Sequence, residues 1–313
     1  MTKISVITPC FNEEENVEIC ANTLREIMKS ELPGYEYEHI FADNASTDLT
    51  LSRLRRLAES DKRIKVILNS RNVGPFRNMW NAMKSASGDV VIPLLPADLQ
   101  DPPAVIPGFV SAWESGSLVV YGVREKREEG LPIKLLRAFY YRSINRLAST
   151  DIPINAGEFL LADRKVIDSI LATNDYYPYI RGLIAQNQVK STSIAYTWVK
   201  RKNGKSKNSF ISLIDQGING FITTSRIPAR IALLLGFILS LIGITFAFIT
   251  GVLSLSTHRD LPLGIPTIIC GIFLLGGIQL AFLGIIGEYV LSIHGQVRRQ
   301  PELFELERIN FED

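Results

Sequence analysis

Over its first 125 residues the chain alternates short β-branched segments with amphipathic ones, and this alternation confines it to an α/β fold. ISVITP (4–9) predicts a strand, and Val17, Ala21, Leu24 and Met28 then recur at helical spacing until Pro33 and Gly34 break the pattern. EHIFAD (38–43) predicts the next strand, and 48–60 a helix whose start is signalled by Ser46 and Asp48. Segments 64–68, 74–87, 90–95, 102–114 and 118–122 continue the series. The expected architecture is a mostly parallel sheet with helices on both faces. No GxGxxG follows the first strand and no Walker A loop is present, which argues against a dinucleotide oxidoreductase and against phosphoryl transfer from ATP.

In an open sheet of this kind ligands bind beyond the carboxyl ends of the strands. Those ends are polar here. Pro9, Asn12, Glu13 and Glu14 follow the first strand, Asp43 and Asn44 the second, and Arg71, Asn72 and Gly74 the third. The stretch LLPADLQDPP (94–103) brings Asp98, Gln100 and Asp101 to the end of the fourth. Such groups suit a nucleotide, although Asp48 also reads as a helix cap and Asn12 as a turn residue. Asp98 and Gln100 are two apart, so on an extended segment both point to one side and offer oxygen ligands to a divalent cation.

The chain has 313 residues, 46% of them hydrophobic, and the apolar excess lies near the C-terminus. Segments 231–255 and 261–287 carry no charge, and about 25 helical residues at ~1.5 Å each exceed the ~30 Å hydrocarbon thickness of a bilayer. They predict a two-helix transmembrane hairpin, with Gly264, Gly271, Gly276, Gly277 and Gln279 at helix contacts. Cationic residues gather before the first segment and after the second, so both termini are expected on the cytoplasmic side of the membrane. Two basic amphipathic segments, 131–149 and 209–228, are expected to lie at the membrane interface or, alternatively, to pack on the sheet or on a neighbouring subunit. The domains expected are a catalytic one over 1–208, the juxtamembrane helix 209–228, the spans within 229–290 and a cytoplasmic tail over 291–313. There is no signal-peptide pattern, Cys10, Cys20 and Cys270 imply no disulfide framework, and a net charge of +2 does not point to nucleic acid.

PCFNEEEN, ADNASTD, SRNVG, SGDVVIPLLPADLQDPP, VREKR, NAGEFLLADR, YIRGL and RKNGKSK occur in that order, followed by the apolar segments ending in GEYV. The set resembles the polyprenyl-phosphate glycosyltransferases of glycosyltransferase family 2, the dolichyl-phosphate mannose synthase and bacterial undecaprenyl-phosphate glucosyltransferase type, over nearly the whole chain. The resemblance implies a GT-A fold and transfer of one sugar from a nucleotide-sugar donor, UDP before GDP, to a polyprenyl phosphate acceptor, undecaprenyl before dolichyl. It also implies that Asp43 reads the base, that Pro9 with Asn12, Glu13, Glu14, Arg71 and Asn72 lines the nucleotide-sugar site, and that Asp98 with Gln100 holds Mg²⁺ or Mn²⁺ against the diphosphate. A homo-oligomer, a tetramer foremost, is implied as well.

The chemistry agrees with those assignments. A diphosphate leaving group gathers negative charge that a divalent cation neutralises. A lipid phosphate is already anionic near neutral pH, so the acceptor needs cations to place it rather than a strong base. Arg124, Arg127, Arg137, Arg201 and Lys207 are the candidates for that task. Asp98, Glu158, Arg124 and Arg201 are the catalytic candidates, and single displacement inverts the anomeric centre. Three departures from the family pattern surround the site: Pro96 stands where the family usually has the first acid of DADLQ, NAGEFLL (155–161) replaces DAGDFRL, and Trp198 stands where an arginine is common. A catalytically impaired relative that binds nucleotide sugar or lipid phosphate as a membrane scaffold is therefore the alternative. A processive polysaccharide synthase is disfavoured by the lack of a QxxRW motif.

Overall fold

The computed structural model describes residues 1–125, 153, 156–173, 175, 178–199, 234–239, 241–243, 245, 249, 264–297 and 303–311. In chain order these form β1 (Lys3–Cys10), α1 (Val17–Glu31), β2 (Glu36–Asp43), α2 (Thr50–Ser60), β3 (Ile64–Asn69), α3 (Pro75–Ser85), β4 (Val90–Ile92) and, after a 3₁₀ turn at Pro103–Val105, α4 (Ile106–Glu114). Then come β5 (Val119–Arg124), β6 (Ala156–Asp163), α5 (Arg164–Leu171), α6 (Ile180–Gln186), β7 (Ser191–Tyr196), α7 (Gly264–Val297) and β8 (Glu305–Ile309). Contacts divide the chain into two units, 1–213 with 299–313, and 214–298.

The first unit holds one sheet in the order β7-β5-β6-β4-β1-β2-β3-β8. β1 pairs in parallel with β2 and β4, β2 with β3, and β5 with β7, while β6 runs antiparallel to β4 and β5, and β8 antiparallel to β3. The chain winds outward from β1 to β3 and then returns to lay β4 on the other side of β1. That reversal opens a crevice at the carboxyl ends of β1 and β4.

Successive strand residues point to opposite faces, and here both faces are covered. On one side Ile4, Val6, Phe41, Val66, Val90, Ile92, Phe159 and Leu161 pack with Val17 and Leu24 of α1, Leu54 of α2 and Phe109 of α4. On the other, Ile7, Ile40, Ile67, Val91, Leu160 and Ala162 pack with Met79 and Met83 of α3, Ile167 of α5 and Ile184 of α6. The strand expected over 90–95 stops at Ile92 because Pro93 has no N–H for the ladder. The chain rejoins β1 only where Leu95 N donates to the Ile7 carbonyl at 2.8 Å.

At the amino edge the buried carboxylate of Glu38 joins several elements. It accepts from Ser5 Oγ at 2.6 Å and Ser87 N at 2.6 Å, and pairs with Lys3 at 3.0 Å and Lys65 at 2.8 Å. Gly88 allows this closeness, since a Cβ there would stand 2.7 Å from Ser5 N. On the same strand His39 Nε2 lies 2.8 Å from Thr8 Oγ1.

The second unit contains α7, 34 residues long, together with helical residues at 234–239 and 241–243. Among the described residues no helix is long and apolar enough to cross a membrane. This overturns the expectation of an integral inner-membrane protein with cytoplasmic catalytic domain and termini. The physical requirement is about 20 consecutive apolar residues in helix. Segment 231–255 lies mostly outside the described residues. The interfacial segment 131–149 and the juxtamembrane segment 209–228 lie outside the described residues.

Two buried groups set the acid response of the sheet. Burial by itself raises the Glu38 carboxyl, but its hydrogen bonds from Lys65, Ser5, Ser87 and Lys3 outweigh it and bring the pKa from 4.5 down to about 2. Burial lowers His39 from 6.5 to about 3. In both cases the unfolded chain takes up protons at a higher pH than the folded one, so stability falls on acidification. The His39 contribution is present above pH 6.5 and is lost from there towards pH 3. The Glu38 contribution is present above pH 4.5 and is lost towards pH 2. In urea titrations His39→Gln is expected to flatten the loss between pH 6 and 4.5, and to leave the steeper loss below pH 4.5 in place.

Candidate functional site

The loop after β1 and the loop after β2 are laced together. Asn12, in a left-handed conformation (φ 54°), donates its N–H to Ser46 Oγ at 2.9 Å and accepts from Thr47 N through Oδ1 at 2.7 Å. Glu13 N donates to Thr50 Oγ1 at 2.8 Å, and Glu13 Oε2 accepts from Asn16 at 2.6 Å. Glu14 Oε2 accepts from Leu49 N at 3.0 Å, next to the start of α2. Asp48 Oδ1 accepts from Thr50 N at 2.9 Å in a turn just ahead of α2, whose cap position is Leu49 rather than the Asp48 that its sequence position suggests. Asn12 and Glu14 thus shape the loops that border the crevice.

Asp43, the last residue of β2, sits beside Cys10 in the register and is 0% exposed. Its Oδ1 accepts from Ser46 N at 3.0 Å, whereas Oδ2 is buried with no hydrogen-bond partner. Burial raises its pKa. A buried acceptor with nothing bonded to it is costly, and an incoming N–H would relieve it. Pro9 is half-buried nearby on β1, and Asn72 Oδ1 accepts from Asn44 Nδ2 at 2.8 Å and Gly74 N at 2.9 Å. Arg71 is exposed in the same loop.

The segment after β4 is a turn rather than the extended stretch expected for Asp98 and Gln100. Leu99 N donates to the Pro96 carbonyl at 3.0 Å, Leu99 adopts φ 54°, and Asp98 Oδ1 accepts from Gln100 N at 3.2 Å. The side chain of Asp98 bonds its own backbone two residues on, which is how an aspartate favours a turn. The same-side argument for Asp98 and Gln100 therefore does not hold. Among the described residues no cluster of three or more His, Cys, Asp or Glu side chains forms a metal cage. Half-buried Asp98 and Gln100 nonetheless supply hard oxygen donors, which fit an ion that takes its remaining ligands from a diphosphate and water.

Asp101 is committed elsewhere. It is 1% exposed and receives two parallel bonds from Arg124, Nε to Oδ1 at 2.9 Å and Nη2 to Oδ2 at 2.7 Å, with a third from the Tyr196 hydroxyl. Arg124 also lies over the Trp198 ring, 5.6 Å from its centroid, and Val199 N donates to the Gln100 carbonyl at 3.0 Å. The acid turn is thereby clamped to the ends of β5 and β7. Tyr196 in turn packs edge-on against Phe159 at 5.7 Å, within the core.

β6 enters the same edge at its amino end. Glu158 has a buried Oε2 with no partner, and burial raises its pKa against the opposing charge of Arg181. Arg181 donates to Tyr179 Oη at 2.6 Å and to the Ala156 carbonyl. Of the residues singled out in the sequence, Pro9, Asn12, Glu13, Glu14, Asp43, Arg71, Asn72, Asp98, Gln100, Arg124 and Glu158 all belong to elements ending on this one edge. Arg127, Arg137, Arg201 and Lys207 lie outside the described residues. The sequence placed Asp101 only among the polar strand-end groups suited to a nucleotide, and it assigned no role to Arg181 or Tyr196. Asp101 and Arg181 stood within quoted motifs, while Tyr196 carried no signal because its partner is 95 residues away.

Residues 5–171 match the family model described as Glycosyl transferase family 2. The chain belongs to this family. It is 32% identical over 298 residues to a putative glycosyltransferase, CsbB, of Bacillus subtilis, covering 95% of this chain and 89% of that protein. It is 30% identical over 304 residues to the prophage bactoprenol glucosyl transferase homolog of Escherichia coli, covering 96% and 97%. A solved mannosyltransferase from Pyrobaculum calidifontis, in complex with GDP-Man and Mn²⁺, superimposes with a TM-score of 0.51 at 17% identity, covering 96% of this chain and 88% of that one. The fold of this family 2 chain is the GT-A α/β fold with a mostly parallel sheet.

Asp101 is buried and Arg124 partly so, and removal of the arginine leaves an uncompensated buried carboxylate costing about 3–5 kcal/mol. Arg124→Met is expected to lower unfolding free energy by that amount in urea titrations. The double variant Arg124→Met with Asp101→Leu is expected to recover most of it.

Proposed function

We propose that the chain transfers a single sugar, with inversion, from a nucleotide-sugar, UDP-sugar foremost, to a polyprenyl phosphate, undecaprenyl phosphate foremost. The observation that carries the donor half is the buried, unpartnered Oδ2 of Asp43 beside the crevice, which suits an imide N–H of a pyrimidine base. The acceptor half is supported by the bactoprenol glucosyl transferases of Shigella phages, to which the chain is 29–30% identical over nearly its full length.

In this reading Pro9, Asn12, Glu13, Glu14, Arg71 and Asn72 border the nucleoside site. Asp98 and Gln100 hold Mg²⁺ or Mn²⁺, and the bound ion supplies neutralisation of the departing diphosphate. Glu158 offers its buried, unpartnered oxygen to a sugar hydroxyl, and burial raises its pKa. The acceptor phosphate attacks as an anion, so no residue removes a proton from it. Arg127, Arg137, Arg201 and Lys207 are assigned to draw that phosphate in. Arg124, spent on Asp101, positions the acid turn instead. The catalytic domain is taken as 1–208, the acceptor is met at a bilayer surface, and the active form is a homo-oligomer.

Pro96 favours a second reading, a binding protein without turnover, because it stands two residues before Asp98 where the family usually has a second acid, and Asp101 is paired with Arg124. Purified protein, undecaprenyl phosphate, a panel of UDP- and GDP-sugars and Mg²⁺ or Mn²⁺ separate the two. Lipid-linked product that disappears with EDTA, and that falls by about 10³-fold or more in Asp98→Ala, is the expected result. Donor binding with no product from any donor supports the second reading.

Asp43→Asn tests the base contact separately. The amide presents an N–H where the base offers its own, so donor KM is expected to rise about tenfold or more with kcat little changed.

A further inference from the structure

The C-terminal segment 303–311 returns to the catalytic unit and adds β8 to the outer side of β3. It is held by more than the ladder. Ser70 N donates to the Phe304 carbonyl at 2.9 Å, Asn81 Nδ2 donates to Glu305 at 2.5 Å, and Arg55 pairs with Glu307. Asn310 Nδ2 donates to the carbonyls of Ala58 and Ile64 at 2.7 and 2.8 Å, which serves the end of α2 and the start of β3 together. Phe311 packs against the core on the α3 side.

The register slips where β8 meets the end of β3. Leu68 faces Glu307 but Asn69 faces Glu305, so one extra tail residue is accommodated at that step. A bulge of this kind re-aims neighbouring side chains. Asn69, fully buried, donates to Asn78 Oδ1 at 2.7 Å and to Asn44 Oδ1 at 3.4 Å. Asn44 Oδ1 also accepts from Val73 N at 3.0 Å, and its Nδ2 donates to Asn72. Asn78 continues the chain of bonds to the Ala42 carbonyl at 2.7 Å, directly before Asp43. The tail thus pairs with the backbone at Asn69, and hydrogen bonds run from the Asn69 side chain to both sides of the candidate nucleoside site.

We infer that the C-terminal strand is a positioning element of the donor site, which holds Asn69 at the bulge so that Asn44 and Asn78 set the 70–74 loop and the end of β2. The inference rests on the reading of this edge as the nucleotide-sugar site. Asn69, Asn44 and Asn78 are positioning residues in it. The tail contributes geometry rather than a substrate contact.

Three forms of the protein test it: the full chain, the chain ended after residue 302, and the full chain carrying Asn69→Leu, which keeps the tail and cuts the bridge. Hydrogen exchange at Val73 and Gly74 reads the loop, and calorimetric titration with UDP and GDP reads the site. Truncation and Asn69→Leu are each expected to speed exchange in the loop and to weaken nucleotide binding about tenfold, the scale of one buried hydrogen bond. Donor KM should rise in parallel with kcat within about twofold. A peptide of residues 303–313 added to the truncated chain should restore both readouts by strand addition. Unchanged exchange and affinity in Asn69→Leu overturn the inference, including when truncation exposes the β3 edge and aggregates. A full chain that binds neither UDP nor GDP overturns the donor-site reading, and the exchange data then judge the positioning alone.

Discussion

A sheet covered by helices on both faces has nowhere to keep polar groups except at the ends of its strands. Every central strand here is apolar on alternate sides and packs with α1, α2 and α4 on one face and α3, α5 and α6 on the other. Polar side chains are thereby driven to two edges. The reversal of strand order between β1 and β4 decides which edge is open, because the chain leaves β1 towards β2 and β4 towards β5, in opposite directions along the sheet.

The two edges differ in how completely they are satisfied. At the amino edge Glu38 is buried but meets Ser5, Ser87, Lys3 and Lys65. At the carboxyl edge Asp43 Oδ2, Asn69 Oδ1, Glu158 Oε2 and Trp198 Nε1 are buried and have no hydrogen-bond partner among the described residues. Asn12, Ala45 and Leu99 adopt positive φ in the loops of that edge as well. Unpaired polar atoms and strained backbone both cost stability, and they persist where a ligand completes them. The Asp101–Arg124–Tyr196 clamp offsets that cost locally by holding the acid turn to β5 and β7.

Much of this was legible in the residues. Alternation of Val17, Ala21, Leu24 and Met28 with the strands around it predicted the helices and the parallel core, and the ends of those strands named Asp43, Asn44, Asn72 and Asp98. Local bonding overrode the extended reading of 97–100, since Asp98 bonds its own backbone and Leu99 turns left-handed. Arg124 read as a free cation because an arginine after a strand carries no mark of its partner. Glu305–Ile309, charged at three of its five positions, read as tail because an edge strand with one exposed face has little apolar content.

The sequence by itself determined the order of strands and helices, the polar character of the strand ends and membership of a family, because each depends on spacing along the chain. Only the tertiary structure decided which of those polar groups are spent on one another and which are left open. Asp101 and Tyr196 are 95 residues apart, and Asn310 reaches carbonyls about 250 residues away. Whether a buried oxygen has a partner depends on distances in space, which no periodicity along the chain encodes.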